Sequence, residues 1–87
     1  MHEVSLVRDL VAKVDELAAA EGARRVTGVR LRLGALAHFS PDHVRRHFVQ
    51  AAKDTVAEGA SLNFETATDI HDPDAQGLVL RSIEVER

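Results

Sequence analysis

Cysteine, tryptophan and tyrosine are all absent from this chain of 87 residues, which has only three phenylalanines. Without cysteine, the chain can form neither a disulfide nor a thiolate zinc site. With so few aromatic rings it has little with which to stack on nucleic-acid bases, and a formal net charge of -3 disfavours binding to a phosphate backbone. We therefore expect no structural zinc and no nucleic-acid partner.

Long apolar runs are also missing, because no stretch approaches the ~20 residues needed to cross a bilayer. The start of the chain lacks the basic and apolar regions of a secretory signal, so we expect no membrane association and a cytoplasmic location. The length fits a single domain spanning 1–87, and 45% hydrophobic with 29% charged residues is globular composition. A domain this small relies on packing, which leaves homo-oligomerisation open.

Hydrophobic periodicity predicts the first two elements. A three-four spacing of apolar residues predicts a helix over 5–21, which Gly22 ends. Alternation predicts a strand over 26–33. Its two faces are Thr27, Val29, Leu31 and Leu33 on one side and Val26, Gly28, Arg30 and Arg32 on the other.

The second half of the chain predicts a helix and two further strands. Ser40 and Pro41 suit the cap and first turn of a helix that continues to about residue 55. Strands follow over 62–66 and 78–86, and the loop 67–77 between them is expected to carry no core. The alternation of the last strand breaks near Arg81-Ser82, which indicates either a bulge or a switch from buried to half-exposed positions. This order indicates an α+β fold with two helices packed on one face of a small three-stranded sheet. The open face would carry Arg30, Arg32, Asn63 and Glu65.

Met1-His2-Glu3 is the strongest candidate for chemistry. The Met1 amine, the deprotonated His2 amide and the His2 imidazole can close fused chelate rings around a divalent ion that accepts nitrogen ligands, as nickel does. Glu3 adds a carboxylate within reach. A lone histidine near a terminus is more often merely solvated, so these three residues do not establish a metal site by themselves.

The remaining histidines give weaker signals. His43 and His47 share a helical face, but no carboxylate lies on that face within one turn, so we expect surface histidines. His71 lies beside Asp69 and Asp72 in a loop, an arrangement that is more often a turn than a metal site or an acid-base pair. No nucleophile elbow, phosphate-binding glycine loop or HExxH pair is present, and we expect no enzymatic activity.

Taken together, four segments resemble the HypA/HybF family of hydrogenase nickel-incorporation proteins. They are the start of the chain, the first strand with its exit turn, the turn into the second strand, and the last strand. In this sequence they read Met1-His2-Glu3 with Ser5, Val29-Arg30-Leu31-Arg32-Leu33-Gly34-Ala35-Leu36, Ala57-Glu58-Gly59-Ala60-Ser61-Leu62 and Ser82-Ile83-Glu84-Val85-Glu86. The resemblance covers nearly the whole chain except the loop from Ala67 to Gly77.

The resemblance implies a nickel metallochaperone that supplies nickel(II) to the large subunit of a nickel-iron hydrogenase, working with a partner GTPase. The implied ligands are Met1 through its amine, His2 through its backbone and imidazole, and Glu3 through its backbone or as an acidic neighbour. The chelating chemistry of these residues agrees with that implication, because nitrogen donors suit nickel.

One departure from the family pattern is large. The family inserts a zinc-binding lobe held by two CxxC pairs between the second and last strands, where this chain has the loop 67–77. The terminus would then act as a minimal nickel carrier, with His38 or His71 as candidates to complete the coordination. The alternatives are a metal-free adaptor, docking on a hydrogenase precursor or maturation partner through the Arg30 and Arg32 face or a sheet edge, and a small enzyme using His71 with Asp69 or Asp72.

Overall fold

Two helices and a three-stranded sheet make up the fold, in a computed structural model that describes residues 2–87, with His2 described by its backbone alone. The elements in chain order are α1 (His2–Ala20), β1 (Arg25–Leu33), α2 (Pro41–Ala52), β2 (Ser61–Thr66) and β3 (Leu78–Glu86). The strand order is β2-β1-β3, with β2 parallel and β3 antiparallel to β1. The predicted α+β fold is confirmed. Within residues 2–87, neither helix combines the length and the apolar character that a bilayer crossing requires.

The core lies between the two helices and one face of the sheet. Each large aliphatic or aromatic side chain buried there contributes about 1.5–3 kcal/mol of transfer free energy. The apolar stripes of the two helices therefore determine which helix faces pack on the sheet. The buried cluster consists of Val7, Leu10, Val11, Val14 and Ala18 of α1, Val44, Phe48 and Ala52 of α2, Val26, Val29 and Leu31 of β1, with Ala57 and Leu62.

Both helices end where local chemistry stops them. After α1, Gly22 has φ of +66°, and the Ala23 N–H donates to the Ala18 carbonyl at 3.0 Å, which closes the last turn. α2 ends at Ala52, three residues before the predicted end. There the Thr55 hydroxyl donates to the Ala52 carbonyl at 2.7 Å and so caps the helix.

The predicted face assignment of β1 is wrong at its start. The pairing with β3 shifts between Val26 and Gly28, leaving Thr27 as an extra residue in β1. Because an extra residue reverses the side-chain alternation, Val26 is buried and Thr27 is exposed, the opposite of the expectation. A second shift leaves Arg81 unpaired in β3, so the broken alternation there is a bulge rather than a switch to half-exposed positions.

The loop 67–77 packs against the exit of β1, contrary to the expectation that it carries no core. Ala67 and Ala75 are buried, at 8% and 4% exposed. The Gly34 N–H donates to the Gly77 carbonyl at 2.9 Å, and the Leu36 N–H donates to the Ala75 carbonyl at 2.7 Å. Small alanines escaped the prediction because they bury little area, yet they allow the two backbones to approach closely.

Candidate metal site at the helix pair

The start of α1 carries the residues that the sequence singles out for metal binding. Met1 and the His2 side chain lie outside the described residues. The backbone of His2 already belongs to α1, and Glu3 occupies the first helical turn, where a carboxylate interacts favourably with the helix dipole. The Glu3 side chain is 23% exposed, which indicates that it lies against neighbouring structure.

The structure places Glu3 between the two histidines of α2. Its Oε1 is 3.5 Å from His47 Nε2 and 4.0 Å from His43 Nδ1. Both contacts are ion pairs when the imidazoles are protonated, and both distances exceed the ~2.9 Å of an ordinary N–H···O hydrogen bond. The two imidazoles therefore face the same Glu3 oxygen, but no short hydrogen bond holds them there.

The position of the histidine pair follows from how α2 is built. The Ser40 hydroxyl accepts from the His43 N–H at 3.2 Å, and Pro41 occupies the first helical turn, so the cap fixes where α2 begins. Burial of Val44 and Phe48 then turns the flanking positions 43 and 47 towards α1. The two imidazoles are one turn apart on the same face.

The sequence predicts no carboxylate on the helical face of the histidine pair within one turn, and the carboxylate that lies beside the pair comes from the other helix, as Glu3 of α1. Arg45, between the histidines in sequence, is directed away to β2: it donates to the Leu62 carbonyl at 3.3 Å and lies 5.2 Å from the centre of the Phe64 ring. Its guanidinium also forms an ion pair with Asp42 on α2, at 3.5 Å between Arg45 Nη1 and Asp42 Oδ1.

His38 and His71 are the two candidates to complete the coordination, and neither forms an ion pair with Glu3. Neither takes part in any ion pair formed within residues 2–87. His71 is exposed, and its backbone N–H donates to Asp69 Oδ1 at 2.9 Å, which makes a local turn. Asp72 Oδ1 accepts from the Asp74 N–H at 2.8 Å, so these contacts are turn contacts and give no sign of an acid-base pair.

The described part of the chain holds no preformed group of three or more His, Asp or Glu side chains in a metal-binding arrangement. A small cavity of about 80 Å³ lies at the other side of the molecule, lined by Arg32, Arg81, Asp72 and Asp74 among others. It mixes both charge signs and contains no histidine. Among the described side chains, Glu3 with His43 and His47 is the group of nitrogen and oxygen donors nearest to the start of the chain.

Comparison with known proteins matches this chain to one family. The family model described as hydrogenase/urease nickel incorporation, metallochaperone, hypA matches residues 1–71. The hydrogenase maturation factor HypA of Methylocella silvestris is 42% identical over 65 residues, which are 75% of this chain and 58% of that protein. The corresponding factor of Chlorobium limicola is 45% identical over 65 residues, again 75% of this chain and 56% of that protein.

The chain thus spans little more than half the length of the curated relatives that it matches. Among solved structures, the solution structure of the Ni metallochaperone HypA from Helicobacter pylori superposes with a TM-score of 0.78 and covers 97% of each chain at 14% identity. That likeness shows the fold. Since the family match begins at residue 1, it includes Met1-His2-Glu3.

Proposed function

The chain belongs to the HypA family of hydrogenase and urease nickel-incorporation proteins, and we propose that it binds nickel(II) at Met1-His2-Glu3 and delivers it during hydrogenase maturation. The observation that carries the proposal is the family match over residues 1–71, because it covers Met1-His2-Glu3 and both helices. In this role the protein carries an ion and performs no catalysis of its own. Its partners are a hydrogenase large subunit and a nickel-delivery GTPase.

The start of α1 supports this chemistry. The first four N–H groups of a helix have no acceptor within the helix, and α1 begins at His2. The His2 amide can therefore lose its proton to a metal without breaking a helical hydrogen bond. With the Met1 amine and the His2 imidazole, it gives the nitrogen donor set that nickel accepts, and a site on a chain terminus exchanges its ion without opening a rigid cage.

The whole domain, 1–87, works as a single nickel-binding unit in this proposal. The loop 67–77 stands where the family resemblance implies a zinc lobe, and a chain without cysteine offers no thiolate for such a lobe. In this proposal the terminal site is the nickel site of the domain.

Nickel titration by calorimetry tests the proposal. The protein with its native Met1 would be compared with His2→Ala, with a form extended by one residue before Met1, and with His71→Ala as the matched control histidine. We expect the first two changes to abolish tight binding and His71→Ala to leave it unaltered. Binding should also release protons, because an amine, an amide and part of the imidazole population must give them up. Equal affinity in all four proteins would overturn the terminal site.

A metal-free adaptor is the second candidate function, and the open sheet face favours it. Arg30 is exposed on that face, and neither Arg30 nor Arg32 enters an ion pair with any residue in the range 2–87. Unpaired guanidinium groups on an uncovered sheet can dock an acidic protein surface. Capture of purified hydrogenase large subunit by metal-free protein, lost in Arg30→Glu and retained in His2→Ala, would favour the adaptor over the carrier.

A further inference from the structure

The outer edge of β3 is the longest strand edge that is left unpaired within residues 2–87. The strand order β2-β1-β3 places β2 and β3 at the two rims of the sheet, and β3 has nine residues where β2 has six. An edge strand presents a row of N–H and C=O groups that can pair with another extended chain. We infer that β3 pairs antiparallel with β3 of a second copy of this chain, about a two-fold axis at Ile83, so that two three-stranded sheets join into one.

The edge of β2 is partly covered, whereas the edge of β3 is not. On β2, the Arg45 guanidinium donates to the Leu62 carbonyl at 3.3 Å and lies 5.2 Å from the centre of the Phe64 ring. On β3, the side chain that bonds to the backbone within the described range is Thr27, whose hydroxyl donates to the Glu84 carbonyl from β1, on the inner side. The outer side of β3 is therefore open to a further strand.

Apolar side chains of β3 are left partly exposed on the face that carries the core. The four core-side residues of this strand pack against the buried cluster, yet none of them is fully buried. They are Leu78, Leu80, Ile83 and Val85. By contrast, the core-side residues of β1 are at most 4% exposed. A strand added beside β3 would bury part of this remaining apolar surface, which is the main favourable contribution to association.

Opposite charges face each other when β3 pairs with itself about Ile83. Arg81 has no partner on β1, so Arg81 and Ser82 together fill one position of the pairing. With Ile83 on the two-fold axis, that position lies opposite Glu84 of the second copy. The symmetry repeats the contact, so the interface contains two Arg81–Glu84 pairs. Cross-strand pairs of opposite charge stabilise a sheet, and this complementarity favours a second copy as the occupant of the edge.

Side chains that lie opposite each other in this register also share a face of the joined sheet, as strand pairing requires. Val85 lies opposite Leu80, and both belong to the core side. Arg81 and Glu84 both belong to the open side, where each lines a cavity of that face. A shift by one residue would bring side chains of different faces against each other, so the bulge at Arg81 selects the register about Ile83.

Neither charge is strongly engaged within one copy. Arg81 Nε lies 3.7 Å from Glu65 Oε1, and both side chains are about half exposed, so this surface ion pair contributes little. Glu84 enters no ion pair with any residue in the range 2–87. Pairing between two copies therefore does not have to break a strong contact.

Sedimentation velocity of the full chain without metal, over a range of concentrations at low salt, tests the pairing. Interference optics suit a chain without tryptophan or tyrosine. The variants are Arg81→Glu, Glu84→Arg and the double variant that exchanges the two charges. We expect each single variant to weaken the dimer at least about tenfold, because like charges then face each other twice, and the double variant to restore it.

Arg46→Glu is the matched control, because it makes the same change of charge at an exposed position of α2. We expect it to leave the association unaltered, and circular dichroism would establish that every variant keeps its fold. A monomer at every concentration would overturn the inference and would leave the edge to a strand from another protein. A dimer that persists in both single variants, or one that the double variant fails to restore, would contradict the Arg81–Glu84 register. Association that needs nickel and is lost in His2→Ala would place the contact at the terminal site and would overturn the inference as well.

Discussion

Replacing Phe48 by alanine should destabilise the domain strongly, because Phe48 is the largest fully buried side chain and lies at the centre of α2. It is 1% exposed and belongs to the cluster that unites both helices with the sheet. Phe→Ala substitutions at such sites cost about 3–5 kcal/mol. The free energy of unfolding of a domain this size is roughly 4–13 kcal/mol, so the variant should lose a large share of it.

Urea denaturation followed by far-ultraviolet circular dichroism is the suitable assay, since the chain has no tryptophan or tyrosine to report by fluorescence. With an m-value of roughly 1.5 kcal/mol/M, the midpoint should fall by about 2–3 M. If the variant is already unfolded in water, Phe48→Leu, at a cost of roughly 1–2 kcal/mol, gives a measurable curve.

Val49→Ala is the matched control, because Val49 is the next residue of the same helix and is 64% exposed. We expect it to change stability by no more than about 0.5 kcal/mol. A loss below about 1 kcal/mol for Phe48→Ala, or an equal loss for both variants, would refute the placement of Phe48 at the centre of the core.

Three further substitutions test other contacts of the fold by the same denaturation assay. Gly34→Ala should cost about 1–3 kcal/mol, because a Cβ at Gly34 would clash with the Ala75 backbone and displace the loop 67–77; a neutral result would contradict that packing. Arg45→Ala should cost about 1–2 kcal/mol through loss of its bond to β2 and its cation–π contact, while the exposed Arg46→Ala should be near neutral, and equal effects would refute the distinction. Ser40→Ala should cost about 1 kcal/mol, and retention of full stability would show that its hydroxyl does not cap α2.

Much of the fold could be predicted from local pattern. The apolar stripes predicted both helices, Ser40 and Pro41 predicted the start of α2, and the broken alternation indicated the position of the bulge in β3. The bulge at Thr27 could not be predicted from local pattern. Val26 and Val29 both suit a buried position, and only the pairing of β1 with β3 decides where β1 takes up an extra residue. The burial of Ala75 escaped for a similar reason, since it depends on the backbone of Gly34 across the fold.

The candidate site likewise combines features that local pattern predicts with features that depend on the tertiary structure. Met1-His2-Glu3 could be recognised as a chelating sequence because its donors are neighbours in the chain, and the role of those residues in binding nickel remains our proposal. The histidine pair could be seen as one helical face, but its carboxylate partner is about forty positions away in sequence, and no local pattern indicates that Glu3 lies beside it.

The sequence by itself determined the elements, their apolar faces and the family to which the chain belongs, because these depend on residue types at short spacing. Only the tertiary structure decided that α1 packs with Glu3 against His43 and His47 and that Arg45 turns to the sheet. The physical reason is that an ion pair between two helices depends on how both apolar stripes settle on the sheet, a property of the whole core that neither helix carries in its own residues.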